Sequence, residues 1–202
     1  MISRRRFLAG SAGLAVAAAA CTDNGGDAGA DPDVDTARTA ARMEKVAVDT
    51  FTVMRSIAVQ GRLGAAVPQA VVEFLTIATG HHQEHLNTWN RALTAGGRGA
   101  VDAPDPKLRQ TVDAAMVRLT DIPALVKLAL RIEDHASQTY LEAIPTLRSP
   151  DAVRTAAQMA VVDQQHQAVL RYILGLYPVG GGVARDTTDF AASDPGLHLF
   201  MG

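Results

Sequence analysis

"RMEKVAVDTF" (residues 42–51) and "RIEDHASQTY" (residues 131–140) align without a gap. Arg42 matches Arg131, Glu44 matches Glu133, Ala47 matches Ala136, Thr50 matches Thr139 and Phe51 matches Tyr140. Each stretch lies inside an apolar pattern of helical period. Ala40, Ala47, Phe51, Met54 and Ala58 form one stripe; Val126, Leu130, Ser137, Tyr140 and Ile144 form the other. Two related helical hairpins packed about a pseudo-twofold axis account for the pairing.

The flanking sequence completes the hairpins. The first helix starts at about residue 36 and is ended by Gly61 and Gly64. A second runs from near Pro68 through Val71, Leu75, Ala78, Leu86, Trp89 and Leu93 to the stop "GGRG" at 96–99. A long connection follows, in which "DPKLRQTVDAAMVRL" (105–119) is amphipathic enough for a short crossing helix. The third main helix begins around Pro123 and stops before Pro145. "SPDAVR" (149–154) opens the fourth, with Ser149 as cap and Pro150 in the first turn, and it runs past Met159, Leu170 and Leu174 to Pro178. Short, long and short connections predict an all-α four-helix bundle of two antiparallel hairpins joined by a crossover. Composition agrees: apolar residues are 48% of the chain but aromatics only 4%, a balance that suits packed helices better than strands. A net charge of -2, with no basic block outside the extreme N-terminus and no phosphate loop, speaks against nucleic-acid or nucleotide binding.

Polar residues fall on the faces that should be apolar. Glu44 sits between Ala40, Ala47 and Phe51, and Glu133 between Leu130, Ser137 and Tyr140. In "GHHQEH" (80–85), three of the chain's 6 histidines are packed together. A turn of about 100° per residue puts His82 within about 20° of Leu75 and Trp89, and His85 about 60° to one side. Glu84 points away, and His81 lies at the margin, either in a solvated edge or as an outer partner of a ligand. Asp163 and His166 lie between Met159 and Leu170. Glu44, His82, His85, Glu133, Asp163 and His166 therefore all point inward. Burying one unpaired carboxylate costs several kcal/mol, so three together need compensation from a metal ion or from a salt-bridged network. Trp89 and Tyr140 are expected as core side chains rather than redox groups, and His135 and His198 as surface residues.

This pattern resembles the ferritin-like superfamily, in which two helices each give a Glu and two each give a Glu-x-x-His pair. The likeness covers about residues 36–178 and is nearest to small exported bacterial proteins with the "E…A…TY" pattern of the third helix. It implies bridging carboxylates at Glu44 and Glu133, nitrogen ligands at His85 and His166, and Asp163 in place of a terminal Glu. The departure is His82, which stands where the pattern has Glu and makes the second helix His-x-x-His. That substitution removes an anionic ligand, and two ferric ions with an oxo bridge want more negative charge than the remaining set supplies. Zinc, copper, manganese or a single iron suits an imidazole-rich set at least as well.

The start of the chain has the layout of an export signal. "MISRRRFLAGSAGLAVAAAAC" carries Arg4, Arg5 and Arg6, then an alanine-rich apolar run and small residues before Cys21. Ser3, Arg4, Arg5, Phe7 and Leu8 match the twin-arginine pattern; an ordinary secretory signal is the simpler alternative. Cys21 is the only cysteine, so no disulfide framework exists; its place after "AAAA" resembles a lipobox, with Ala18 where Leu is usual. Lipidation at Cys21 and cleavage at an Ala-x-Ala site are the two readings of this boundary. The expected layout is a signal over 1–21, an acidic flexible linker over 22–36, a bundle over 37–178 and a tail over 179–202. Asp31, Asp33 and Asp35 imitate a calcium loop, but Thr36 and Arg42 replace its Gly and Glu. The expected protein is exported and lipid-anchored through Cys21, on the outer face of the cytoplasmic membrane or in the periplasm or at the cell surface. A homodimer or an envelope protein is the further partner considered. Its role is metal-dependent redox or oxygen and peroxide handling, metal sequestration, or that of a scaffold with a degenerate site.

Overall fold

The structure, a computed structural model, describes residues 31–175, and among these all regular structure is helical. The expectations for the signal, Cys21, most of the linker, Pro178, His198 and the tail lie outside the described residues. Helix α1 spans Pro32–Val59, α2 Gln69–Ala95, α3 Pro106–Met116, α4 Ile122–Ala143 and α5 Pro150–Ile173; a single 3-10 turn, Ile144–Thr146, follows α4. Four of the five starts combine a side-chain cap with a proline in the first turn. Asp31, Asp105, Asp121 and Ser149 accept from the backbone N–H of Asp33, Leu108, Ala124 and Ala152. Pro68 precedes α2 without a side-chain cap. Glycines with positive φ end α1, α2 and α5, at Gly61 (67°), Gly97 (70°) and Gly175 (67°).

Helices α1 and α2 form one antiparallel hairpin and α4 and α5 the other; between the hairpins α1 packs against α4 more closely than α2 does against α5. The crossover carries α3, which lies on α1 through the buried Leu108 and Val112 and a bond from Asp105 N to the Arg42 carbonyl (3.3 Å). Asn90 on α2 pins the start of that crossover by exchanging two hydrogen bonds with the backbone of Val101 (2.7 and 2.9 Å). The core is filled by Phe51, Met54, Leu75, Trp89, Leu93, Leu125, Leu130, Tyr140 and Leu170, one or more from each long helix. The matched threonines of the repeat behave as most helical threonines here do. Thr50 and Thr139 each bond back to the carbonyl four residues earlier, Val46 and His135.

Helix α1 begins at Pro32, earlier than its apolar stripe suggests, so residues 32–36 are helix and not linker. The reason is tertiary. The Asp33 carboxylate accepts from the backbone N–H of Arg148 (2.7 Å) and Ser149 (2.8 Å), tying the first turn of α1 to the α4–α5 connection. At the other end α5 stops at Ile173, short of the expected Pro178, with Leu174 and Gly175 closing it. Two backbone donors held by one carboxylate give a testable consequence. Asp33→Ala should lower unfolding free energy by about 1–2 kcal/mol in a urea titration, because both N–H groups return to water. An unchanged midpoint would show that α1 starts at Pro32 without this tie.

Candidate metal centre

The six inward-pointing residues meet at one level of the bundle. Glu44 comes from α1, His82 and His85 from α2, Glu133 from α4, and Asp163 and His166 from α5. Glu44, His82, Glu133 and Asp163 are fully buried; His85 and His166 keep only 8% and 6% exposure. His82 is at the middle. Its Nδ1 lies 2.6 Å from Glu44 Oε2 and its Nε2 3.3 Å from Glu133 Oε1. His85 Nδ1 sits 3.3 Å from Glu44 Oε1 and 3.9 Å from Asp163 Oδ1. His166 Nδ1 is 3.1 Å from Glu133 Oε1, close but not aligned as a hydrogen bond. Phe51 stacks on the His82 ring at 5.3 Å and 14°, closing the centre with apolar surface.

Two sets of donors fall within ligating reach. One is His82, Glu133, Asp163 and His166; the other is Glu44, His82 and His85; within each set the ligand atoms all lie within 4.8 Å of one another. His82 belongs to both sets, whereas Glu44 and Glu133 belong to one each. The one residue common to both sets is thus the imidazole that breaks the Glu-x-x-His pattern.

Without a metal ion the electrostatics are strongly coupled. Burial alone would raise Glu44, but the charge of His82 and hydrogen bonds from His82 and His85 outweigh it and carry the carboxyl down to about 2. Burial likewise works against the Glu133 anion, and His82 and His166 bring it down. Burial disfavours charge on His82 too, yet the carboxylates of Glu133 and Glu44 push it well above the ordinary histidine range. Asp163 goes the other way: burial, then Glu133 and Glu44, raise it well above the usual carboxylate range. One imidazolium between two carboxylates leaves a third carboxyl with no cation of its own.

The donors fit a transition-metal ion. Among the described residues, five buried side-chain atoms lack a hydrogen-bond partner, and four are in this cluster: Glu133 Oε2, both Asp163 oxygens and His166 Nδ1. Orphaned acceptors at such depth cost about 1–3 kcal/mol each, and carboxylate and imidazole donors together suit iron, manganese or zinc. A bound ion supplies Lewis acidity and, where the metal has two accessible oxidation states, electron transfer.

Three neighbours extend the centre, Tyr140 and Gln167 beyond the sequence expectation and His81 in the second of its two expected places. His81 is only half-buried but is not a bystander: its ring stacks on His166 at 5.1 Å and 7°, and its Nδ1 lies 2.9 Å from His166 Nε2. Burial, with the nearby His166 and His85, disfavours charge on His81. Tyr140, expected as plain core, donates its hydroxyl to Glu44 Oε1 and accepts from Trp89 Nε1 (3.1 Å). Burial and the charges of Glu44 and Asp163 push its own ionisation well above the phenol range, so it stays a donor. Gln167, also buried, donates to the Glu133 backbone carbonyl (3.3 Å) and steadies α4 at the glutamate. Glu84 points to solvent, as the wheel predicts. His135 is half-buried rather than on the surface, and Asp134 beside it is buried, a polar core position that the apolar stripe does not flag.

An all-helical bundle of two hairpins with a buried carboxylate–imidazole cluster defines a ferritin-like protein. The sequence comparison agrees: residues 32–176 match the ferritin-like domain family, and the chain belongs to it. A solved structure with the same fold is a conserved hypothetical protein, rv2844, from Mycobacterium tuberculosis. It is 14% identical, with a TM-score of 0.59, over 75% of this chain and 96% of the other. At that identity the likeness is one of fold alone. No curated protein matches the sequence.

The Tyr140 link can be tested apart from any metal. Tyr140→Phe leaves the Trp89 N–H without its acceptor and takes one donor from Glu44. It should cost about 1–3 kcal/mol in urea unfolding followed by the fluorescence of Trp89. Wild-type stability in this variant would mean the Glu44 carboxylate does not depend on the phenol.

Proposed function

We propose that this is an exported, membrane-tethered metal-binding protein, with iron, manganese or zinc held among Glu44, His82, His85, Glu133, Asp163 and His166. The observation that carries the reading is the set of orphaned, buried atoms of Glu133, Asp163 and His166, which a cation would satisfy together. Membership of the ferritin-like domain family supports it, since that fold builds metal sites from facing helices. The chain's own part is to hold donors in register, exclude water with Phe51 and the surrounding core, hold the Glu44 carboxylate through Tyr140 and orient the His166 ring through His81. Redox work on oxygen or peroxide is one use of such a centre. Plain sequestration is the other; turnover, unlike sequestration, needs an open coordination position.

A metal-free scaffold is the rival reading, and the placement of His82 between Glu44 and Glu133 favours it, since a charged imidazole there offsets two carboxylates. Elemental analysis of the full chain from metal-replete cells, beside a Glu44→Ala/Glu133→Ala variant, separates the two. Stoichiometric transition metal in the wild type and its loss in the variant is the expected result; a metal-free wild type supports the scaffold. A visible spectrum that changes on adding peroxide argues for redox work, and a silent one for sequestration.

Export and tethering rest on the sequence: the twin-arginine pattern from Ser3 to Leu8 and the lone Cys21 at the end of the apolar run. No described helix is long and apolar enough to cross a membrane. The partners on this reading are the membrane, through a lipid on Cys21, and a second copy or an envelope protein; nucleic acid is not among them. Cys21→Ser should move the protein from the membrane fraction to the soluble fraction. Unchanged fractionation would reject the lipid anchor.

A further inference from the structure

The two donor sets are not equivalent, although the repeat makes them look so. At the Glu44 end every oxygen is engaged. Glu44 Oε1 accepts from the Tyr140 hydroxyl and faces His85 Nδ1 at 3.3 Å, while Oε2 faces His82 Nδ1 at 2.6 Å. At the other end Glu133 Oε2, Asp163 Oδ1 and Asp163 Oδ2 have no hydrogen-bond partner, although both residues are fully buried. Phe51, the counterpart of Tyr140 in the repeat, has no hydroxyl to offer Glu133. Within the aligned stretches, the Phe51/Tyr140 position therefore carries part of the difference between the two ends.

The histidines lean the same way. His166 uses Nε2 against His81, so Nδ1 is the atom turned into the cluster, and it makes no aligned hydrogen bond. His82 gives Nδ1 to Glu44 and turns Nε2 toward Glu133. A histidine that donates one ring N–H to a buried carboxylate and presents its other nitrogen is the usual arrangement of an oriented metal ligand. In that arrangement Glu44 is the orienting carboxylate. Charge agrees: Glu133 and Asp163 neutralise one dication, whereas two dications would face only three carboxylates in a buried site.

We infer that the centre holds one divalent ion, bound by Glu133, Asp163, His166 and His82, with Glu44 a positioning residue that orients His82 rather than a ligand. This rests on the metal-binding reading above and narrows it from a six-residue set to four donors at one end.

Co(II) added to the chelator-stripped full chain, followed by its visible absorption and by titration calorimetry, tests the inference. The expected wild-type stoichiometry is one ion per chain. Asp163→Asn should weaken binding by more than ~100-fold, whereas changing an outer partner typically costs ~10–100-fold. Glu44→Gln keeps an oxygen for the His82 N–H and should stay within ~10-fold of wild type with the same Co(II) spectrum; Glu44→Leu, which keeps none, should fall in the outer-partner range. Two ions per chain, or a loss in Glu44→Gln as large as in Asp163→Asn, overturns the inference and leaves metal binding standing. No Co(II) bound by the wild type removes both. The wild-type stoichiometry decides even where a variant does not fold.

Discussion

The contact on which the rest depends is His82 between Glu44 and Glu133, at 2.6 and 3.3 Å, with all three side chains fully buried. Two carboxylates from different hairpins could not share that space unshielded, because like charges in a medium of low polarity repel strongly. His82 joins them. It links α1, α2 and α4 through one ring, and its stacking on Phe51 sets the plane of that ring. Replacing it with the glutamate of the usual pattern would add a fourth carboxylate to Glu44, Glu133 and Asp163, in a cluster where Asp163 already resists ionisation.

The bundle around this contact is built to keep it still. Capped, proline-started helices set the register of the side chains, and the hairpins press α1 against α4 so that the two glutamates come from the middle of the molecule. Tyr140 and Trp89 then extend the polar chain outward from Glu44 into the core, while Gln167 fixes the backbone at Glu133. Polar networks of this kind are favourable only when each member is satisfied. Here one end is satisfied by the protein and the other is not. That imbalance leaves an unsatisfied end whose donors could hold a cation.

Much of this was legible in the sequence because it depends on helical period alone. All six inward residues lie on stripes that also carry Ala47, Leu75, Leu130 and Leu170, and a residue's place on a stripe follows from counting. The contacts that were not legible run between helices. His81 lies at the margin of its own wheel, and only the approach of α5 brings His166 within 2.9 Å of it. The role of Tyr140 requires a Glu44 96 residues away, and the true start of α1 requires backbone 115 and 116 residues away. Spacing predicts which way a side chain points. It does not predict what it meets.

The central claim is that the buried cluster is incomplete without a cation, and thermal unfolding of the chelator-stripped protein with and without added metal addresses it most directly. An ion that binds only the folded chain stabilises it by about 2.7 kcal/mol at a hundred times its dissociation constant, which for a domain of this size is a rise in Tm of about 5–10 °C. The account predicts such a rise for at least one of Fe(II), Mn(II) and Zn(II). Melting curves that superimpose with and without each ion would contradict it and leave His82, Glu44 and Glu133 as a self-contained salt-bridged core.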